Sequence, residues 1–269
     1  MRNDDIREIW NKRAKIHAAQ KCCKAQNVVG QLYHDSWWHY INPLLSEIPN
    51  GRILEAGCGT GRWAEHLAPR GFTLVMSDLS PAMLVKAKEY AEENGFVEHI
   101  DFKELDVCDL HSLEDNSFDM VISTGEPISI CSDPRKAISE YCRVVRPGGF
   151  VLCDAGNKYR KAFDSFQAHP AQRFLHILET GDYASQSGME LHMLGPSELT
   201  AIFEEYGLTI KTMAGITPMG TFPACTHYEN AVKDSAIRNE LYELQRLYGE
   251  KPEIVALSSR ILAVAQKPH

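Results

Sequence analysis

The chain predicts a doubly wound α/β fold, a mostly parallel sheet with helices on both faces, and three observations predict it. Short apolar runs at Arg52–Leu54, Phe72–Met76, Ile100–Leu105, Met120–Ser123 and Phe150–Cys153 alternate with amphipathic stretches, as strands do when crossover helices connect them. The first run ends in an acid and three alternating glycines, Glu55-Ala56-Gly57-Cys58-Gly59-Thr60-Gly61, a spacing that suits backbone lying against a ligand. Glu55, Asp78, Asp106 and Thr124-Gly125 all fall at the carboxyl ends of runs, where open sheets of this kind bind ligands.

The elements follow in order. Residues 1–48 carry Trp10, Ile16, Tyr33, Trp37, Trp38, Tyr40 and Leu44-Leu45 on mostly helical stretches, and residues 49–157 hold the strands. After the second strand, Ser80-Pro81 supplies a capping hydroxyl and a first-position proline to a helix that runs through Met83, Ala87 and Tyr90 and stops at Asn94-Gly95. Pro147-Gly148-Gly149 reads as a turn before the fifth strand. Residues 158–195 form a second addition, in which Met189 to Leu194 alternates as an extended strand with Glu190, His192 and Leu194 on one face. A helix starts near Pro196-Ser197-Glu198. Residues 217–258 form a third addition with a helix from Ala236 to Tyr248, and a last strand covers Arg260 to Ala265. Without repeats, low-complexity tracts or linkers, a single domain over 1–269 is expected.

Composition narrows the function. At 269 residues and 44% apolar content the chain can bury a full core, and no stretch approaches the ~20 apolar residues of a membrane span. The charged Met1 to Lys15 segment lacks an export core, and eight cysteines in a chain this long form no disulfide framework, so a reducing cytoplasm is expected. A net charge of -8 argues against a broad nucleic-acid surface, and neither nucleic acid nor membrane is an expected partner. The cluster Lys12, Arg13, Lys15, Lys21 and Lys24 reads as a solvated helical face. Cys22-Cys23 cannot chelate as Cys-x-x-Cys does, no histidine spacing matches a structural zinc site, and no metal is expected.

The glycine loop admits few cofactors. A nicotinamide dinucleotide would want its third glycine where Arg62 stands, and a nucleotide triphosphate loop would want Gly-Lys-Ser/Thr, which does not follow. Glu55-Ala-Gly-Cys-Gly-Thr-Gly61 resembles motif I of the class I S-adenosylmethionine-dependent methyltransferases. The resemblance continues in order through Ser77-Asp78-Leu79-Ser80-Pro81, Phe102-Lys103-Glu104-Leu105-Asp106-Val107, Asn116-Ser117-Phe118-Asp119 and Arg146-Pro147-Gly148-Gly149-Phe150, and covers residues 50 to 155 closely.

That resemblance implies a Rossmann-like seven-stranded, mostly parallel sheet with helical lid additions at 1–48, 158–195 and 217–258. It implies S-adenosylmethionine as cofactor and S-adenosylhomocysteine as product, with Glu55 steering the loop, Gly57, Cys58 and Gly59 on the amino-acid part, Asp78 and Leu79 on the ribose, Asp106 and Val107 on adenine, and Met83, Thr124 and Gly125 completing the site. Transfer from a sulfonium is an in-line displacement that needs alignment above all, with a base only for a hydroxyl or protonated amine. Glu126 follows the fourth strand at the implied reaction centre. There the chain reads Thr124-Gly125-Glu126-Pro127-Ile128 instead of the Asn/Asp-Pro-Pro-Tyr of many members acting on exocyclic amines, which speaks against that substrate class. His176, His192 and His227 are base candidates, with His192 and His227 preferred, and Tyr33, Trp37, Trp38, Tyr183 and Tyr228 are candidate substrate contacts. The leading expectation is methyl transfer to a small-molecule N, O or S nucleophile. The alternatives are a tRNA or protein methyltransferase and a non-catalytic S-adenosylmethionine-binding protein.

Overall fold

Neighbouring residues of a strand point to opposite faces, so runs such as Ile53-Leu54 and Val121-Ile122 demand cover above and below the sheet. The computed structural model, which describes residues 3–24, 28–166, 171–185, 188–216 and 234–269, has that architecture. Strands β1 (Arg52–Ala56), β2 (Thr73–Asp78), β3 (Ile100–Glu104), β4 (Phe118–Ser123), β5 (Val145–Gly156), β8 (Thr209–Ile216) and β9 (Arg260–Gln266) form one seven-stranded sheet in the order β3-β2-β1-β4-β5-β9-β8. The first five are parallel and β9 runs antiparallel between β5 and β8. The chain order reverses between the paired strands β1 and β4, whose onward connections lead to opposite sides of the sheet, and a crevice lies at their carboxyl ends.

On one face Leu54, Val75, Val121, Val151 and Ala263 pack against Tyr141 of α6 (Pro134–Val144) and Phe203 of α9 (Pro196–Glu205). On the other, Ile53, Leu74, Met120, Leu152 and Leu262 meet Trp37 and Ile41 of α2 (Val28–Leu44), Leu67 of α3 (Ala64–Leu67) and Ala87 of α4 (Pro81–Glu93). Helix starts follow their caps: Ser80 Oγ accepts from Met83 N at 3.2 Å, and Asp133 accepts from Arg135 N at 2.9 Å. The first helix, α1 (Asn3–Lys24), lies across the start of α4, where Asn11 Oδ1 accepts from Ser80 Oγ at 2.6 Å and Arg7 Nε donates to Leu79 O at 3.2 Å. Beyond β5 come α7 (Lys158–Phe166), α8 (Ala171–Thr180) and a hairpin of β6 (Asp182–Ala184) with β7 (Glu190–His192). The short α5 (Pro127–Ile130) follows β4, while α10 (Ser235–Tyr248) and α11 (Pro252–Leu257) precede β9. Among the described residues no helix is long and apolar enough to cross a membrane.

Two elements differ from expectation. Pro147-Gly148-Gly149 is part of β5 and not a free turn: Val145 pairs with Phe118, Gly148 takes φ +78, and pairing resumes after an irregularity at Phe150 opposite Met120. A bulge with glycine in the left-handed region looks like a turn in sequence. Strand β8 is not announced by the sequence, because it is the sheet edge and its first half, Thr209-Ile210-Lys211-Thr212, stays partly exposed.

Candidate active site

The crevice beyond β1, β2 and β4 has a volume of about 500 Å³. Its floor is the glycine loop. All three loop glycines have positive φ, Gly57 +71, Gly59 +56 and Gly61 +76, but their surroundings differ. A Cβ on Gly57 would lie 2.7 Å from Pro127 Cγ and one on Gly61 would lie 2.8 Å from Met76 Cε, so these two are small because protein packs on them. A Cβ on Gly59 would meet no atom within 4 Å, so there the main chain faces the crevice bare. Close packing of the loop onto β2 and α4 is thus supplied by Gly61, and Arg62 is free to turn elsewhere.

Asp78 ties the loop to the second strand. Its Oδ2 accepts from Gly59 N and its Oδ1 from Ser80 N, both at 2.8 Å. Burial pushes its carboxyl up to about 6, against the pull of those two N–H groups. Each oxygen keeps acceptor capacity toward the cavity, which suits vicinal hydroxyls. One strand further, Asp106 Oδ1 accepts from Cys108 N at 2.9 Å, and its Oδ2 accepts from the Asn3 amide of α1. Ile6, Trp10 and His17 of α1 line the opening above.

The facing wall is a charged network. Asp154 of β5 is wholly buried; its Oδ1 accepts from Gly125 N at 2.9 Å and Glu126 N at 2.8 Å, and its Oδ2 from Tyr33 OH at 3.2 Å. Those bonds hold the turn after β4 in a left-handed conformation, Gly125 at φ +93 and Glu126 at +69, the second of which costs on the order of 1 kcal/mol for a residue with a Cβ. Arg260, at the start of β9, pairs with Glu126 and places Nη1 3.8 Å from Asp154 Oδ2. Its guanidinium and that of Arg62 each lie 5.1 Å from the Tyr33 ring centroid. Burial pushes the Asp154 carboxyl up to about 6, with Arg260 opposing the rise and Glu126 adding to it. Burial works against the Arg260 charge, but Glu126, Tyr33 and Asp154 outweigh it and raise its value. Burial and the Asp154 charge push the Tyr33 phenol up, so it stays a neutral donor. Trp63 Nε1 donates to Thr124 Oγ1 at 3.1 Å and fixes the mouth of the turn.

The structure brings most of the expected residues together. Gly57, Cys58, Gly59, Asp78, Leu79 and Met83 line the cavity, as do Asp106, Val107, Thr124, Gly125 and Tyr33. Glu55 is buried in β1 beneath the loop. Other candidates lie elsewhere. Trp37 is fully buried against Trp63 and Trp38 stacks on Trp63 at 6.3 Å, so both pack the α2–α3 layer instead of facing a substrate. His192 and Tyr183 belong to the β6–β7 hairpin and line, with His176, a second cavity: His192 Nδ1 lies 3.2 Å from Asp182 Oδ1, and Lys161 Nζ sits 4.4 Å from the Tyr183 centroid. His227 and Tyr228 lie outside the described residues. Sequence reasoning missed Asp154, which reads as one more strand residue, and Arg260, which reads as a strand start. Only the pairing of β5 with β9, Gly156 opposite Arg260, brings them to one place.

Residues 53–149 match the family described as "Methyltransferase domain". The chain is 30% identical over 198 residues to a "Ubiquinone biosynthesis O-methyltransferase" of Alkalilimnicola ehrlichii, covering 67% of this chain and 76% of that protein. It is 28% identical over 211 residues to the protein of the same name from Pseudomonas syringae pv. tomato, covering 72% of this chain and 86% of the relative. A solved S-adenosylmethionine-dependent methyltransferase from Mesorhizobium loti superposes with a TM-score of 0.60 at 20% identity, over 86% of this chain and 98% of that one, a likeness of fold.

Proposed function

The chain belongs to the class I S-adenosylmethionine-dependent methyltransferases and transfers a methyl group to a small molecule, and from that premise we propose that the acceptor is a hydroxyl group held against Tyr33 and Arg260, with the buried Asp154 positioning both. When bound, S-adenosylmethionine supplies a methyl group already activated on a sulfonium. The residues present fit that cofactor. The bare main chain at Gly59 admits the amino-acid part, Asp78 offers two acceptor oxygens to the ribose, and Asp106 with the Val107 amide addresses adenine. An adenine amino group at Asp106 would share or replace the contact made by Asn3, so cofactor binding and the position of α1 are linked. We read 1–48, 158–195 and 217–258 as the lid additions of the family, of which α1 stands over the cofactor side.

On that side the chain's own groups hold charge rather than shuttle protons. Glu126 is engaged by Arg260, which makes it a positioning residue for the guanidinium. Arg260 and Arg62 favour an ionised acceptor oxygen, which lowers the need for a dedicated base. Tyr33 donates to Asp154, and Asp154 fixes the turn that closes the cavity. The single observation that carries this reading is that the Tyr33–Asp154–Arg260 network opens onto the same crevice as the glycine loop. The O-methyltransferase names of the relatives support oxygen as the accepting atom. Thiols at Cys108 and Cys153 that form no disulfide support a cytoplasmic setting.

The test is transfer of labelled methyl onto a panel of small phenols, alcohols, amines and thiols, with cell-extract polymer alongside. Label on hydroxylated small molecules is expected. Label on amines or thiols alone would overturn the oxygen assignment.

A further inference from the structure

On the outer side of the α2–α3 layer, three side chains converge that the methyl-transfer chemistry does not use. His34 Nε2 of α2 lies 2.8 Å from His66 Nε2 of α3, and Glu65 Oε1 lies 3.4 Å from the same His66 nitrogen. All three ligand atoms fall within 4.8 Å of one another. Two ligands each ~2.1 Å from one ion stand about 3.0 Å apart at a right angle and about 3.4 Å at the tetrahedral angle, so the Glu65–His66 pair has the spacing of atoms that share an ion, and the two imidazole nitrogens, hydrogen-bonded to each other without the ion, need to part by only a few tenths of an ångström.

The surroundings pre-orient the group. His34 stacks on Trp63 at 5.0 Å with 22° between the rings, and His66 lies 4.9 Å from Trp38. Glu65 Oε2 accepts from Tyr90 OH, and the far nitrogen of His34, Nδ1, is 3.4 Å from Asp35 Oδ1. A carboxylate behind a ligating imidazole, and a hydroxyl behind a ligating carboxylate, are the outer partners that orient metal ligands. The histidines are about a quarter exposed, at 27% and 28%, which leaves room for water to complete the coordination.

We propose that His34, Glu65 and His66 bind a divalent transition-metal ion of the zinc class and that this ion fastens the N-terminal helix α2 to α3 beside the glycine loop. Two imidazoles and one carboxylate select zinc, cobalt or nickel over the hard magnesium ion, which prefers all-oxygen sites. Trp63 stacks on His34 and donates to Thr124 at the crevice, so the ion braces the aromatic layer beneath the active-site turn. The two histidines stand 32 apart in the chain, which no local histidine motif would reveal.

The test is a titration of the chelator-stripped full chain with Zn²⁺, read by calorimetry and by thermal unfolding, with Mg²⁺ as control and His34→Gln and His66→Gln in parallel. One zinc per chain, a raised Tm, no response to magnesium and about a hundredfold weaker binding in each variant are expected. Absence of zinc binding, or equal binding by the variants, would overturn the proposal. Cobalt loaded into the unsubstituted protein gives an independent reading should a variant fail to fold. A spectrum without thiolate charge-transfer bands is expected, and strong thiolate bands would move the ion to cysteine and refute the site.

Discussion

Most of the cofactor side of the crevice comes from one stretch of chain, residues 55 to 107, and much of it is main chain. The acceptor side gathers Tyr33, Asp154 and Arg260 from three distant segments and is made of side chains. On the first side, the acids that face the cavity lean on backbone N–H groups, Asp78 on those of Gly59 and Ser80 and Asp106 on that of Cys108. On the second, a buried carboxylate, a phenol, a glutamate and a guanidinium depend on one another, and removing any one strands the rest. The lesson is that the generic half of this site is a local property of chain geometry, whereas the half that selects an acceptor is a property of the assembled sheet.

The contrast can be broken first at Asp154. Asp154→Ala should cost about 3–5 kcal/mol in denaturant unfolding, because it leaves the Gly125 and Glu126 amides and part of the Arg260 charge without their acceptor. Asp78→Ala should act on binding instead, weakening S-adenosylhomocysteine by about 1.5–3 kcal/mol, roughly ten- to a hundredfold in a calorimetric titration. A loss of stability at Asp78 as large as that at Asp154 would erase the distinction.

Titration offers a finer test. The Asp78 carboxyl lies near 6 in the folded chain against an ordinary 3.8, so folding favours its protonated form. Its contribution to the stability of the free protein is therefore present below about 4 and is lost as pH rises through about 6. Ribose hydroxyls donate to the ionised form, so cofactor affinity should move the other way, rising about tenfold between roughly pH 5 and 7. Asp78→Asn should flatten both curves. The smallest effect is expected at His192, whose ring faces the second cavity: His192→Ala should change methyl transfer by less than about twofold. A large loss of turnover there would mean that the β6–β7 hairpin reaches the acceptor.

The same contrast governs what the sequence discloses. Gly57, Gly59, Asp78 and Asp106 are legible because each sits at the end of an apolar run, and strand order alone carries them to one crevice. Helix α4 is legible from Ser80-Pro81 at its start and Asn94-Gly95 at its end. Asp154 and Arg260 are not, since their meeting depends on the antiparallel register of β5 and β9, set by the placement of β9 between β5 and an edge strand. The aromatic residues of α2 mislead for a related reason. Periodicity marks Trp37 and Trp38 as a packing face but does not say whether a substrate or Trp63 lies opposite.

The most direct measurement is to titrate Asp78→Ala and Tyr33→Phe with S-adenosylhomocysteine and to follow methyl transfer by both. The division of the crevice predicts that Asp78→Ala loses affinity for S-adenosylhomocysteine, while Tyr33→Phe binds it as the unsubstituted protein does and loses turnover. Equal loss of affinity in both, or unchanged affinity in Asp78→Ala, would contradict it.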